Sequence, residues 1–439
     1  MLARCLRAFA KVEPAEVITA SGMTLIVFVL MTAYYLLKTA REPLILLQGG
    51  AEVKLYAEAG QALLLVGVVR VYSALARRVG RLKLLATVYL VFASNMVIFA
   101  FFAQTKIHIG LAFFLWVGIF SYTSVAQFWA FAADIYTEEQ GKRLFPIVGI
   151  GSSVGAVVGA DVARWVVPFG PAALMGAAAL LVVLCVALLA WVDRRVTAAD
   201  VRRRGDVAAD AQKPVGDETP LHLLVRDRYL VLIGALTLLL NCVSGLGDYI
   251  LDRTLLSRLD DARSLGISPS TFIGSFKAAY FGWYNLLGVA LQMFAVSRVL
   301  ARFGVRNALL CLPLLASLGF GAFTFLSALP LIRATMIAER ALDYSLTNTS
   351  RNALFLVASR VEKYVGKTLI DTVGARSGDV VSAAVVFLGT AVGVPTAGFS
   401  AICVALTGAW VAIVLGIGRE HERRLEETDK LVQSEPAPC

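Results

Sequence analysis

Charged residues are scarce in this sequence: they make up 16% of 439 residues, while hydrophobic residues make up 58%. A soluble globular domain carries about 25% charged residues. The mean hydropathy of +0.74 therefore argues against a soluble protein and predicts an integral membrane protein. Six cysteines without a CxxC motif and three distant histidines argue against a disulfide framework or a zinc site. Because no catalytic triad or paired-carboxylate site stands out either, we expect neither an enzyme nor a bound cofactor.

Long apolar segments predict an all-α membrane protein with twelve transmembrane helices, each about 20 residues long. A single long polar linker, residues 193–227, separates an N-terminal six-helix half (1–192) from a C-terminal half (228–418), and a tail follows at 419–439. The predicted spans are 17–37, 54–76, 82–104, 108–136, 144–165, 171–192, 228–252, 272–298, 306–328, 330–350, 364–390 and 396–418.

The basic residues explain the net charge of +10 without a nucleic-acid partner. With the N-terminus inside, 28 of the 41 Lys and Arg residues fall in cytoplasmic segments and 9 in outer segments. Cytoplasmic loops of membrane proteins carry such an excess. We therefore predict that both termini and the linker are cytoplasmic and that the chain crosses the inner membrane of a bacterium.

The two halves contain an internal repeat. The segment SALARRVGRLK (73–83) follows the second span, and SRVLARFGVRN (297–307) follows the eighth, so that Gly80 and Gly304 correspond. A basic turn with glycine at this place is typical of major-facilitator-like transporters, whose halves are related by a pseudo-two-fold axis along the membrane normal. Spans 3, 6, 9 and 12 carry no interior charge. We predict that these four face lipid and that the other eight line a central cavity.

Polar residues concentrate between residues 338 and 379. At 100° per residue, Glu339, Arg340, Asp343 and Arg351 share one face of the tenth span. A charge near the bilayer centre is costly unless it is paired or faces water, so this stretch predicts a polar cavity. In the fifth span, close helix packing is favoured over a dinucleotide-binding loop for four spaced glycines, which are Gly149, Gly151, Gly155 and Gly159.

Three blocks of sequence resemble the ATP:ADP antiporters of intracellular bacteria and plastids. They are YYLLKTAREPLIL (34–46), FWAFAADIYTEEQGKRLFPIVGIGS (128–152) and LDYSLTNTSRNALF with EKYVGKTLIDTVGARSGD (342–355 and 362–379). The resemblance implies a major-facilitator-like fold and exchange of ADP for ATP or related nucleotides. Arg41 stands where the family uses a basic residue for nucleotide binding. Asp379 stands where the exchangers carry a lysine. A negative charge in place of a positive one would weaken anion binding there.

The candidate site residues form two groups. Those expected to bind substrate are Arg41, Lys277, Arg340, Tyr344, Arg376 and Asp379. Those expected to form a gating or charge network are Lys38, Asp134, Asp248, Asp252, Glu339, Asp343 and Asp371. For Arg340, a salt-bridge network and direct substrate contact stay equally open. Lys38 with Asp252, or Arg41 with Asp248, could close the outer side of the bundle.

These observations predict a secondary transporter that works by alternating access and exchanges nucleotides or related organic anions. Its partners would be the small-molecule substrate and the lipid bilayer; the sequence does not fix the oligomeric state, and a monomer is compatible with it. One alternative is a proton-coupled transporter of another small solute. Another is a membrane scaffold or lipid-handling protein that has the fold but does not transport.

Overall fold

A computed structural model of the protein describes residues 16–76, 81–105, 107–136, 138–195, 227–355, 367 and 370–434. These residues form helices and connecting turns, and none of them lies in a β-strand. In chain order the α-helices are α1 (Val17–Ala76), α2 (Arg81–Phe102), α3 (Gly110–Ile135), α4 (Glu138–Val166), α5 (Pro171–Asp193), α6 (Arg228–Leu256), α7 (Leu259–Ser264), α8 (Pro269–Phe294), α9 (Val296–Leu326), α10 (Leu329–Leu342), α11 (Asn348–Leu354), α12 (Ala375–Ala391) and α13 (Thr396–Ser434).

Within the described residues, eight helical segments are long and apolar enough to cross a membrane. They confirm a multi-pass membrane protein, while the count of twelve stays a prediction. Predicted spans 1 and 2 are joined in α1, which has a kink at Gly50, where φ is 77°. The tenth predicted span is divided by a π-helical segment at Asp343–Thr347. Predicted spans 8, 10 and 11 are not among the eight, and the helices α10 and α12, which lie in spans 10 and 11, are only 14 and 17 residues long.

The described residues form two compact units. The first contains α1 to α5 and the segment Leu259–Asn285, which includes α7 and the first part of α8. Here α1 is the central helix, since it packs against α3, α4 and α5. In the second unit α6 and α9 have the corresponding role: α6 packs against α10, α12 and α13, and α9 packs against α10 and α13. The predicted boundaries 1–192, 193–227, 228–418 and 419–439 stay a prediction, and most of the linker lies outside the described residues.

Glycines fix the contact of α1 with α4. A Cβ atom on Gly151 would lie 2.4 Å from the carbonyl oxygen of Thr24, and one on Gly155 would lie 2.5 Å from that of Phe28. A Cβ on Gly159 would lie 2.8 Å from Cα of Thr32, also on α1, whereas a Cβ on Gly149 would meet nothing within 4 Å. Only glycine permits backbones to approach this closely, so three of the four glycines predicted to pack helices do so.

A turn at the predicted repeat is present in the second half. Gly304 has φ 74° and interrupts α9, as the segment 297–307 predicts. Gly80, its counterpart in the first half, lies outside the described residues. The 6+6 pseudo-symmetry accordingly stays a prediction.

Candidate functional site

Three cations surround one buried carboxylate in the first unit. Glu42, on α1, is 1% exposed. Its Oε2 atom lies 2.7 Å from Nζ of Lys54 and 3.4 Å from Nζ of Lys277, and its Oε1 atom lies 3.5 Å from Nε of Arg41. Lys54 and Lys277 are also buried. We call these four residues the Glu42 cluster.

The kink in α1 makes this cluster possible. Glu42 and Lys54 are twelve residues apart, so a straight helix would separate their backbones by about 18 Å. That separation exceeds the combined reach of the two side chains. The left-handed conformation at Gly50 turns the second part of the helix, and glycine adopts such a conformation without steric cost. Lys277 reaches the same carboxylate from α8.

One helical turn before Glu42, α1 contacts α8 through aromatic side chains. Nζ of Lys38 donates to the hydroxyl of Tyr284 at 2.8 Å and lies 4.5 Å from the ring centroid of Phe281. The ring centroid of Tyr35 is 5.3 Å from the same nitrogen, and the Tyr35 hydroxyl donates to Oδ1 of Asn285 at 3.1 Å. Aromatic faces attract a cation, most strongly where water is excluded. Tyr35, Lys38 and Glu42 are spaced three and four residues apart, so they lie on one face of α1.

The Glu42 cluster brings basic side chains of α1 and α8 together, and the carboxylate of Glu58 also acts on Arg41. It combines three basic side chains with one carboxylate, and the Arg41 guanidinium also lies 4.3 Å from the ring centroid of Phe114. A buried charge is tolerated when it is paired, as each of these is with Glu42, and guanidinium and ammonium groups are the side chains that bind anions. The arrangement can therefore bind a phosphate or carboxylate group chemically.

A second polar network connects α6 with α10 in the second unit. Nη2 of Arg340 lies 2.5 Å from Oδ2 of Asp248. The neighbouring Glu339 is fully buried, and its Oε1 atom accepts a hydrogen bond of 2.5 Å from Ser244. Its Oε2 atom has no hydrogen-bond partner among the described residues. Arg340 is thus paired with α6, and the network interpretation fits this conformation better than direct substrate contact.

A third group of charges lies around α11 and α12. Asp371 accepts from Arg351 at 3.1 Å and from Lys367 at 2.6 Å. Arg376 is paired with Asp379 at 3.1 Å, three residues along the helix. The sequence spacing predicts that Lys367 shares a helix face with Asp371, and Arg376 with Asp379, and these contacts confirm it.

Two π-helical segments interrupt this region, at Asp343–Thr347 and at Ile370–Gly374. Each inserts one extra residue into the helix, and such segments are frequent at functional sites. Because the insertion shifts the register, the α-helical angles used for Arg351 do not hold beyond Thr347. Arg351 contacts Asp371, whereas Arg340 contacts Asp248.

The remaining predicted residues are placed as follows. Tyr344 is 49% exposed, Asp252 is buried on α6, and Asp343 begins the first π-helical segment. The side chain of Asp134 lies outside the part of the chain that the structure describes. The pairs Lys38–Asp252 and Arg41–Asp248 stay predictions for a closed outer side. In this conformation Lys38 contacts Tyr284 and Asp248 contacts Arg340.

Several members of these networks are absent from the sequence-based candidates: Glu42, Lys54, Tyr284, Ser244 and Arg351. Lys54 is the first residue of the second predicted span and Arg351 follows the last residue of the tenth, whereas in the structure Lys54 is buried within α1 and Arg351 lies in α11. The only signal for Glu42 is its place beside Arg41 in an otherwise apolar segment. Among the described residues, no group of His, Cys, Asp or Glu is arranged to bind a metal ion.

Comparison with known proteins agrees with the resemblance. No protein-family model matches the sequence. The chain is similar to ADP,ATP carrier protein 1 of Chlamydia trachomatis, with 24% identity over 291 residues, which are 57% of this chain and 53% of the carrier. The corresponding carrier of Chlamydia muridarum is 23% identical over 292 residues, which are 57% of this chain and 53% of that carrier. The match thus spans about half the length of these curated relatives.

Solved structures with the same fold are transporters. The nucleoside transporter NupG superposes with a TM-score of 0.65 at 12% identity, covering 91% of this chain and 98% of that one. A point mutant of the peptide transporter POT gives a TM-score of 0.62 at 13% identity over 91% of this chain and 95% of that one. At this identity the likeness shows the fold alone. The chain therefore shares the fold of these two transporters.

Proposed function

We propose that this protein is a secondary transporter that exchanges nucleotides or related organic anions across the membrane by alternating access. Its bundle would contain twelve spans in two six-helix halves, with substrate bound near the midplane. The observation that carries the proposal is the Glu42 cluster, in which Arg41, Lys54 and Lys277 converge on one carboxylate inside an apolar protein. Similarity to ADP,ATP carriers supports nucleotides as the substrate class to test first.

The basic residues differ in how readily they could bind substrate. Arg376 is paired with Asp379 and Arg340 with Asp248, so each already has a carboxylate partner of its own. In the Glu42 cluster three basic side chains converge on Glu42, and Glu58 is a second carboxylate whose charge acts on Arg41. We propose the principal anion-binding site at Arg41 and Lys277, because these two substrate-binding candidates meet at Glu42 in the first unit. The paired arginines would contribute once their acids move away.

A second candidate is proton-coupled transport of another small solute. It is favoured by Glu339, a fully buried carboxyl group with one oxygen lacking a hydrogen-bond partner among the described residues. An ionised carboxylate in such a place is costly, so uptake and release of a proton there is chemically reasonable. A pH gradient would then drive uptake without an internal counter-substrate.

Counterflow in proteoliposomes tests the two candidates. The purified chain is reconstituted with unlabelled ADP, ATP or an organic anion inside, and uptake of the labelled compound is followed. Exchange predicts uptake only with internal substrate, and a loss of at least about tenfold in Arg41→Gln, since a charge-assisted hydrogen bond contributes about 1.5–3 kcal/mol. The control is Arg263→Gln, because Arg263 is exposed on α7 and pairs only locally with exposed Asp260.

Two results would contradict exchange. Uptake driven by a pH gradient with empty vesicles would favour the proton-coupled candidate, and Glu339→Gln should then abolish the pH dependence. A complete lack of transport, together with no thermal stabilisation by any nucleotide or anion in the panel, would favour the membrane scaffold or lipid-handling protein.

A further inference from the structure

The loop predicted between spans 8 and 9 contains a short helical segment at the start of α9. This helix begins at Val296, and Gly304, with φ 74°, interrupts it. Residues 296–303 are therefore set apart from the rest of α9, and we call them the entry segment. In the predicted topology the entry segment lies at the cytoplasmic surface of the membrane, because span 8 ends there and span 9 begins there.

The entry segment has a buried face and an exposed face. Val296, Val299 and Leu300, spaced three and four residues apart, pack into a small apolar core within the second unit. At about 100° per residue, Arg298 and Arg302 lie about 200° and 240° around the helix from Val296. Both arginines are exposed. Packing of the apolar face thus leaves two arginines, four residues apart, on the opposite face.

Arg298 and Arg302 have no carboxylate partner among the described residues. Arg298 donates to the carbonyl oxygen of Phe294, and the guanidinium of Arg302 lies 5.8 Å from the ring centroid of Phe303. A guanidinium without a carboxylate can bind a phosphate group through two parallel hydrogen bonds. Three other arginines near the predicted cytoplasmic side of this unit are already paired with acids, as Arg306–Glu422, Arg423–Glu420 and Arg424–Asp227.

Large apolar side chains are exposed beside these two arginines. Met293 and Phe294, at the end of α8, are 58% and 62% exposed, and Phe303 is 55% exposed. A helical segment that combines exposed basic and large apolar side chains is suited to the boundary between headgroups and acyl chains. A soluble anion would contact the guanidinium groups only, whereas a phospholipid contacts the apolar side chains as well. The surface therefore fits a lipid better than a soluble anion.

We propose that the entry segment binds the phosphate headgroup of an anionic phospholipid in the cytoplasmic leaflet. Arg298 and Arg302 bind the phosphate, and Phe294 and Phe303 contact the acyl chains. The cytoplasmic leaflet contains anionic lipids, which attract basic segments next to a membrane span. A bound lipid holds the connection between α8 and α9 at the membrane surface. This site lies outside the Glu42 cluster and does not depend on the proposed function.

Quenching by brominated lipids tests the site in the full chain, reconstituted into phosphatidylcholine nanodiscs. Ala301 is exposed in the entry segment, so Ala301→Cys in a chain without its native cysteines carries the fluorophore. Brominated phosphatidylglycerol should quench it at least about tenfold more effectively per molecule than brominated phosphatidylcholine, since each basic residue at an anionic surface contributes about fivefold. Arg298→Gln and Arg302→Gln should accordingly each lower this preference about fivefold.

Arg423→Gln is the matched control, because Arg423 is exposed on the same predicted side and is paired with Glu420. It should keep the preference of the parent, and an equal loss there would assign the preference to net charge and overturn the site. Equal quenching of the parent by both lipids, or an unchanged preference when Arg298 and Arg302 are both replaced by Gln, would also overturn it.

Glycerol phosphate in solution separates the lipid from a free phosphate compound. It should leave quenching by brominated phosphatidylglycerol unchanged, because it lacks the acyl chains that contact Phe294 and Phe303. Loss of quenching on addition of glycerol phosphate would contradict the lipid and indicate a site for soluble phosphate compounds. High salt should weaken the preference for phosphatidylglycerol, since exposed charges are screened, and a preference that is insensitive to salt would contradict binding through the arginines.

Discussion

The ion pair between Arg340 and Asp248 connects α10 with α6, and its contribution to the stability of the second unit can be measured. Its side chains are 17% and 21% exposed, and the closest nitrogen–oxygen distance is 2.5 Å. Removing one partner of a buried pair costs about 3–5 kcal/mol, because the other charge stays buried alone. With about a fifth of each side chain exposed, we expect Arg340→Met to lower the free energy of unfolding by about 3 kcal/mol. Asp248→Asn should cost a similar amount.

The double variant separates the pair from other effects. Neutralising both partners removes the lone charge, so Arg340→Met with Asp248→Asn should recover about 2 kcal/mol relative to the sum of the single losses. Unfolding by denaturant in detergent micelles, followed by helix content, measures all four proteins. The matched control is Arg376 with Asp379, a pair of similar exposure within one helix, for which about 0.5 kcal/mol is expected. Strictly additive losses at Arg340 and Asp248 would refute the pairing.

Three further outcomes are expected. Gly155→Leu should prevent folding, since its Cβ would lie 2.5 Å from the Phe28 carbonyl oxygen, whereas Gly149→Leu should fold; size-exclusion profiles distinguish the two. Glu339→Gln should change the free energy of unfolding by less than about 1 kcal/mol, because a neutral amide of the same shape preserves the Ser244 contact; equal loss in Glu339→Gln and Glu339→Ala would contradict this. A reporter that works only in the cytoplasm should be active when it is fused after Glu218, and one that works only in the periplasm should be inactive there. The opposite result would contradict the predicted orientation.

The sequence predicts the helical class and several local contacts because these depend on short spacings. Glycines four residues apart in the fifth predicted span indicate close helix packing, and Gly151 and Gly155 show that close approach. Charges three or four residues apart indicate the pairs Arg376–Asp379 and Lys367–Asp371. Such patterns need only the helical period. They give no information on which helices meet.

The Glu42 cluster could not be predicted because its contacts depend on a bend and on a distant helix. Two consecutive glycines, Gly49 and Gly50, indicate a break in α1, but not its direction. The partners of Glu42 stand 12 and 235 positions later, at Lys54 and Lys277, and neither separation corresponds to a helical spacing. For the same reason, no spacing in the sequence indicates the contact of Arg340 with Asp248.

The π-helical segment at Asp343–Thr347 gives a single residue unusual influence over the charges that follow. Deleting one residue there would restore an ordinary α-helix, shorten it by about 1.5 Å and rotate everything beyond by about 100°. Arg351 would then turn away from Asp371, although every charged residue would remain in the sequence. Relatives that differ from this chain by one residue in this segment would thus keep the same composition but have differently arranged charges. A sequence alignment that ignores a one-residue gap in this segment would pair residues beyond it whose side chains point in different directions.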